Sequence, residues 1–108
     1  MTIRIDRNKN TNDTATMSNA ITLNGTTTIT IATANPDRNY ILIHNNSAAT
    51  ACWVKLQAAS VDDDKKGIFI DKSVPTPAEW EMPVDNIYTG EISAISDSGA
   101  VDIYVTEY

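Results

Sequence analysis

Apolar and polar side chains alternate at period two in several short segments of the chain. Residues 26–33 read Thr-Thr-Thr-Ile-Thr-Ile-Ala-Thr, which is typical of a half-buried strand because successive strand side chains point to opposite faces. Asn24-Gly25 precedes this segment and favours a tight turn, and another apolar run occupies residues 20–23. The pattern predicts a β-hairpin over residues 20–33.

Short apolar runs between turn residues indicate further strands. Residues 40–45 follow a turn signal at residues 35–37 and end at Asn45-Asn46-Ser47, which fits a strand that is buried on both faces. Residues 67–70 and 80–82 are shorter runs of the same kind. Both segments are therefore predicted to be short strands.

Residues 47–60 contain good helix formers and neither proline nor glycine, so a helix and a strand both remain open. A strand would place alternate side chains on two faces, with Cys52, Val54 and Leu56 on one face and Trp53, Lys55 and Gln57 on the other. We favour the strand, followed by a charged loop over residues 61–66.

The C-terminal segment carries the clearest pair of strand signals. Residues 90–96 and 101–107 flank Asp97-Ser98-Gly99-Ala100, which predicts a hairpin with a four-residue loop. Val101, Ile103 and Val105 alternate with polar residues and are expected to face the core.

Composition supports the same class of structure. The chain has 108 residues, of which 13 are Ile, 6 Val and 14 Thr, and these β-branched side chains suit a pleated, half-buried surface. The prediction is an all-β protein, a small antiparallel β-sandwich of seven or eight strands, with an immunoglobulin-like or a jelly-roll-like topology.

Residues 1–19 are assigned to an extended N-terminal arm and residues 20–108 to the sandwich domain. Ordering the backbone of residues 6–19 costs on the order of 14–28 kcal/mol. Burial of Ala15 and Met17, the only apolar side chains in that range, returns about 2–4 kcal/mol. The arm is therefore expected to be a disordered tail unless a neighbouring subunit or a larger surface binds it.

The tip of the arm, residues 2–7, alternates apolar and charged side chains. This pattern fits an extra strand added to another sheet edge, with Ile3 and Ile5 in pockets, and it fits equally a strand of the chain's own sandwich. The arm residues that we expect to make contacts are Ile3, Arg4, Ile5, Arg7 and Met17.

Charge and hydropathy exclude several classes of partner. The net charge of −6 argues against a protein that neutralises nucleic-acid phosphates. No apolar run approaches the ~20 residues of a membrane span. The N-terminal residues show no apolar core of a secretory signal. We expect partners that are neither nucleic acid nor membrane.

Candidate chemistry is sparse. His44 and Cys52 are the only residues of their types, and no nucleophile motif surrounds Cys52, whose neighbours are typical of a core strand. Asp62-Asp63-Asp64 lacks the alternating spacing of a calcium loop and precedes two lysines, so we interpret it as a solvated loop. The expectation is a protein without catalytic residues, metal or cofactor.

Four aromatic residues are the candidate contact residues of the domain: Trp53, Trp80, Tyr88 and Tyr108. Such side chains can form a sugar-stacking platform, anchor a protein interface or fill a core. Trp53 is the strongest interface candidate, because it alternates out of phase with Cys52 and Val54.

Residues 40–108 carry a series of short motifs in a fixed order. They are Asn45-Asn46-Ser47-Ala48, Trp53-Val54-Lys55-Leu56, Trp80-Glu81-Met82-Pro83, residues 86–96, and a closing strand that ends in Val105-Thr106-Glu107. This succession resembles small structural proteins of tailed-phage virions, of the head-decoration (cement) kind. The acidic residues 62–64 and the long polar arm depart from the pattern.

The resemblance implies a non-enzymatic virion structural protein, made in the host cytoplasm and located on the capsid surface. It implies a decoration protein that binds the major capsid protein of a phage shell and stabilises the shell through its arm and its sandwich surface. It also implies association with copies of itself, a trimer being consistent. The alternative is a tail- or fibre-associated module that recognises a host-surface carbohydrate or receptor through its aromatic face.

Overall fold

The computed structural model describes residues 16–108, so the predicted contact residues Ile3, Arg4, Ile5 and Arg7 lie outside the described residues. This part of the chain is all-β, and none of its segments forms a helix long and apolar enough to cross a membrane. Its nine strands are β1 (Thr16–Met17), β2 (Ile21–Leu23), β3 (Ile29–Ala32), β4 (Ile41–Asn45), β5 (Cys52–Lys55), β6 (Ile68–Ile70), β7 (Ala78–Glu81), β8 (Ile92–Ser96) and β9 (Val101–Glu107).

The strands form two antiparallel sheets that pack face to face. One sheet has the order β1-β9-β4-β7, with β2 also paired to β9, and the other has the order β3-β8-β5-β6. β1 and β2 follow one another along the same edge of β9, since β4 occupies the other edge. Each sheet therefore has four strand positions, and the predicted antiparallel sandwich of seven or eight strands is confirmed.

The first half of the chain pairs in reverse order with the second half. β1 and β2 pair with β9, β3 with β8, β4 with β7, and β5 with β6. The chain is thus one long antiparallel hairpin, folded over so that β4 also pairs with β9 and β5 with β8. This connectivity is that of a jelly roll, and it differs from the strand order of immunoglobulin domains.

Both predicted hairpins are wrong, because their strands lie in different sheets. β2 pairs with β9 and β3 with β8, so Asn24-Gly25 carries the chain from one sheet to the other. Residues 97–100 do the same between β8 and β9. The two connections lie together at one end of the sandwich, where the Ser96 N–H donates a hydrogen bond to Asn24 O at 3.0 Å.

The inner faces of the two sheets supply the core. Val101, Ile103 and Val105 are buried, which confirms their predicted orientation. Cys52 and Val54 are fully buried on the inner face of the other sheet, and the strand interpretation of that segment is confirmed. Alternation places the remaining side chains of these strands on the two outer faces of the sandwich.

Candidate functional site

We call the sheet of β1, β2, β9, β4 and β7 the five-stranded sheet and the sheet of β3, β8, β5 and β6 the four-stranded sheet. The outer face of the five-stranded sheet carries a stripe of aromatic and apolar side chains. On β4, Leu42 and His44 point outward and are half-buried, so the predicted burial of this strand on both faces holds only for its inner face. On β9, Tyr104 points outward beside His44 and is 38% exposed. We call this surface the tyrosine face, and it consists of Met17, Tyr40, Leu42, His44, Tyr104 and Tyr108.

Met17 joins the tyrosine face from the edge strand β1. It pairs with Thr106 of β9 and is 72% exposed. It belongs to the predicted arm of residues 1–19, yet its backbone is part of the five-stranded sheet. Thr16, the first described residue, lies opposite Glu107 and next to the end of the tyrosine face.

Tyr40 and Tyr108 close one end of the tyrosine face. The Tyr40 N–H donates to Tyr108 O at 2.7 Å, the Tyr108 N–H donates to Tyr40 O at 3.1 Å, and the ring centroids are 5.2 Å apart. The Tyr40 hydroxyl donates to Glu81 Oε2 at 2.8 Å. Burial, together with this hydrogen bond and the charge of Glu81, raises the pKa of Tyr40 to about 12. The hydroxyl therefore stays protonated and acts as a hydrogen-bond donor.

Carboxylates border the tyrosine face on the β7 side. Glu79 lies opposite His44, Glu81 lies opposite Leu42, and both glutamates are exposed. On the other side, Asp102 of β9 is exposed and accepts a hydrogen bond from the Thr22 hydroxyl at 2.6 Å. The surface is thus an aromatic stripe with an acidic border, a composition that suits a cationic or amphipathic partner.

A buried ion pair between Arg38 and Glu107 stabilises the end of the tyrosine face at Tyr108. The Arg38 side chain is fully buried, and its Nε donates to Glu107 Oε2 at 2.6 Å. The rest of the guanidinium donates to three backbone carbonyls, Thr33 O, Tyr88 O and Gly90 O. Arg38 thereby fastens the end of β9, and with it the position of Tyr108, to the loops at this end of the sandwich.

The other predicted aromatic residues lie elsewhere. Trp53 is half-buried on the outer face of the four-stranded sheet, in edge contact with Phe69 at 4.8 Å between ring centroids. Trp80 packs against the core from β7. Tyr88 also packs against the core, and its hydroxyl donates to Glu91 O at 2.9 Å. The four residues therefore do not share one platform, and of the four only Tyr108 belongs to the tyrosine face.

His44 and Cys52 lie on different sheets. Cys52 is fully buried on the inner face of the four-stranded sheet, and burial raises the pKa of its thiol to about 12. His44 lies on the outer face of the five-stranded sheet. A site that pairs these two side chains does not form in this arrangement.

The acidic loop is anchored rather than simply solvated, which corrects the interpretation of residues 62–64. Lys55 is buried, and its Nζ donates to Asp62 Oδ1 at 2.6 Å. Asp63 Oδ1 accepts from the Thr28 N–H at 2.8 Å. Within residues 16–108 no group of three or more His, Cys, Asp or Glu side chains is placed to hold a metal ion.

Leu56 was expected on the core face, but β5 ends at Lys55 and Leu56 is 40% exposed.

The anchor of this loop is expected to weaken in acid. The Lys55 hydrogen bond holds the pKa of Asp62 well below its ordinary value. A depressed pKa contributes stability above the unfolded-state value of about 3.9, and that contribution is lost as the pH falls below it. We expect Asp62→Asn to lower the melting temperature at pH 7 and to have progressively less effect below about pH 4.

Thermal unfolding of the wild type and Asp62→Asn across this pH range measures the effect. Asp64→Asn is the matched control, since Asp64 is exposed and contacts the exposed Lys66. A difference between wild type and Asp62→Asn that does not change with pH would contradict the assignment.

Compared with protein-family models, with curated proteins and with solved structures, the chain matches none. Its function is therefore argued from the fold and from its surfaces.

Proposed function

We propose that this chain is a non-enzymatic structural protein of a phage virion, a head-decoration (cement) protein that binds the outer surface of the capsid. The observation that carries the proposal is the tyrosine face next to Thr16, where the described part of the chain begins. Jelly rolls are frequent in viral capsid proteins and in lectins, which is consistent with the proposal but does not by itself assign a function.

The arm and the tyrosine face are positioned to act together. Thr16 pairs with Glu107, and Met17 already contributes its side chain to the face. Residues 1–15 therefore extend the chain from the border of this surface. A partner that covers the face also lies within reach of the arm, so both can contribute to one interface with the major capsid protein.

In this proposal the binding strength comes from contacts that are repeated at many identical sites on the capsid. A capsid offers the same site many times, and linked copies bind such a lattice far more tightly than one copy does. Residues 16–108 carry five basic and twelve acidic side chains, a net charge of −7 that keeps the free protein soluble. The aromatic side chains of the face supply the anchors that interfaces typically use.

Sedimentation with capsids tests the proposal. Capsids are assembled from the major capsid protein of the phage that encodes this chain, and the purified protein is added and pelleted with them. We expect Tyr104→Ala to weaken binding about 30-fold, as loss of an interface anchor costs about 2 kcal/mol. We expect Ile3→Asp to weaken binding as well, because it replaces an apolar contact residue of the arm with a charged one.

Phe69→Ala is the matched control, since Phe69 is a similarly exposed aromatic residue on the opposite outer face, 52% exposed. It is expected to bind capsids as the wild type does. A wild-type protein that stays in the supernatant would overturn the proposal. So would a Tyr104→Ala variant that binds no more weakly than Phe69→Ala.

The alternative is a tail- or fibre-associated module that binds a host-surface carbohydrate or receptor. The observation that favours it is the contact between half-buried Trp53 and exposed Phe69 on one outer face, where Trp53 Nε1 also lies 3.5 Å from Asp97 Oδ1. Aromatic side chains with a few placed polar groups are typical of small-molecule sites, and a sugar is a ligand of this kind. A glycan array probed with the wild type and with Trp53→Ala tests this function. The function requires that the wild type binds a glycan and that Trp53→Ala loses this binding.

A further inference from the structure

The five-stranded sheet ends in an open edge at β7. Within residues 16–108, β4 lies on one side of β7 and no strand lies on the other. The Met82 N–H donates to Ile41 O of β4, and backbone groups alternate between the two sides of a strand. The backbone N–H and C=O groups of Glu79 and Glu81 therefore face the open edge.

The side chains of β7 divide into two kinds. Glu79 and Glu81 are exposed on the outer face. Ala78 and Trp80 point inward, and Trp80 is only half-buried, although it packs against the core. The edge thus offers two carboxylates on one face and an incompletely covered indole ring on the other.

The tip of the arm has the complementary pattern. Residues 2–7 read Thr-Ile-Arg-Ile-Asp-Arg, so in an extended strand Ile3 and Ile5 lie on one face and Arg4 lies on the other. Residues 1–15 contain three basic and two acidic side chains, a net charge of +1 against −7 for the rest of the chain. The arm is therefore the cationic part of an acidic protein.

We propose that residues 2–7 of one copy add as a strand, antiparallel to β7, on the sheet of a second copy. Arg4 then lies opposite Glu79 on the outer face. Ile3 lies opposite Trp80 on the inner face, where it covers the exposed part of the indole ring. Main-chain hydrogen bonds supply affinity in this mode of recognition, and the alternating side chains supply register.

The two open edges of the other sheet, β3 and β6, are poorer sites for this strand. β3 contains a bulge between Thr30 and Ala32, which interrupts pairing. β6 is three residues long and lies between Lys66 and Lys72, which repel a cationic strand. β7 combines an undisturbed register with β4 and two outward carboxylates.

The chain's own arm is unsuited to its own β7. All pairs in this sheet are antiparallel, so β1 and β7 run in opposite directions. A strand antiparallel to β7 would run parallel to β1, in the same sheet. Only residues 8–15 would join the two, whereas parallel strands of one sheet need a connection of about a dozen residues or more. Pairing with a second copy has no such restriction.

The proposed contact joins two different surfaces, an arm and an edge. Repeated from copy to copy, it produces a closed ring or an open chain of subunits. The inference deepens the proposed function and rests on it for its biological setting, because linked copies would bind a capsid with avidity. Its test uses the purified protein without capsids, so the two proposals can fail separately.

Charge exchange tests the pairing of Arg4 with Glu79. Sedimentation equilibrium of the full chain is expected to show self-association, with a dissociation constant raised about tenfold by Arg4→Glu and by Glu79→Lys. The double variant is expected to recover association close to that of the wild type. Asp37→Lys is the control, because it makes the same kind of charge change at an exposed residue of the turn before β4, outside β7.

A wild-type protein that stays monomeric would overturn the inference, and so would single variants that behave as Asp37→Lys does. Capsid binding that fails while self-association follows the charge exchange would overturn the proposed function and leave this inference standing.

Disulfide trapping identifies the second copy as the partner. Opposite residues of an antiparallel pair lie about 5.5 Å apart at Cα, within the range of a disulfide bond. Oxidation of a mixture of Arg4→Cys and Glu79→Cys proteins is expected to give a cross-linked dimer, since the native Cys52 is buried. A double variant that closes the bond within one chain and stays monomeric would contradict the assignment.

Discussion

Replacement of Arg38 by methionine is expected to lower the free energy of unfolding by about 3–5 kcal/mol, because it removes one partner of a buried ion pair. The Arg38 side chain has no exposed surface, and Glu107 retains 23%. The substitution leaves Glu107 without its cation and three carbonyls without their donor, those of Thr33, Tyr88 and Gly90. Methionine fills part of the volume but satisfies none of these acceptors.

Urea unfolding followed by tryptophan fluorescence measures this loss. Arg38→Lys is the informative second variant, because lysine keeps the charge but lacks the planar fork that reaches several acceptors at once. We expect its stability to lie between those of the wild type and Arg38→Met. A methionine variant within about 1 kcal/mol of the wild type would contradict the assigned role, since that is the effect of an ordinary substitution.

Replacement of Asn45 by alanine is expected to cost about 2–4 kcal/mol. The side chain is fully buried at the end of β4. Its Nδ2 donates to Thr50 O at 3.0 Å and to Asp71 O at 2.9 Å, and its Oδ1 accepts from the Ser47 N–H at 2.8 Å. A fully buried polar group that loses its partner costs about 1–3 kcal/mol; these three backbone groups are only partly buried, so each costs less, but alanine satisfies none of them.

Asn46→Ala is the matched control for this prediction. Asn46 is the adjacent asparagine and its side chain is exposed, so we expect a change within about 0.5 kcal/mol. The same unfolding measurement compares the two variants. Equal stability of Asn45→Ala and Asn46→Ala would show that the buried amide does not stabilise the fold through its hydrogen bonds to Thr50 O and Asp71 O.

The sequence alone determined the class of structure and much of the core. Alternation is a local property of a strand, so the inward orientation of Val101, Ile103 and Val105 could be predicted without knowledge of their partners. Cys52 and Val54 were predicted on one face for the same reason. Tyr108 and Met17, two of the predicted contact residues, are exposed, and their contact with a partner stays a prediction.

The pairing of strands was decided only by the tertiary structure. Asn24-Gly25 and residues 97–100 carry turn chemistry that suits both a hairpin and a crossing between sheets. Burial distinguishes the two, because β8 is buried along its whole length and must be covered on its inner face by the other sheet. The inward side chains of β8 and β9 belong to one core between the sheets, whereas a direct β8–β9 hairpin would place both strands in the same sheet.

Tertiary structure also decided the roles of the buried polar residues. Arg38 and Lys55 carry no local signal, since their partners lie far away in the sequence or become close only when loops fold onto the sheets. Asn45 was part of a predicted turn, but its burial and its hydrogen bond to Asp71 depend on the folded loops. The separation of Trp53, Trp80 and Tyr108 has the same origin. A period-two pattern shows which side chains share a face of one strand, but which faces meet depends on how the two sheets bury the largest apolar area.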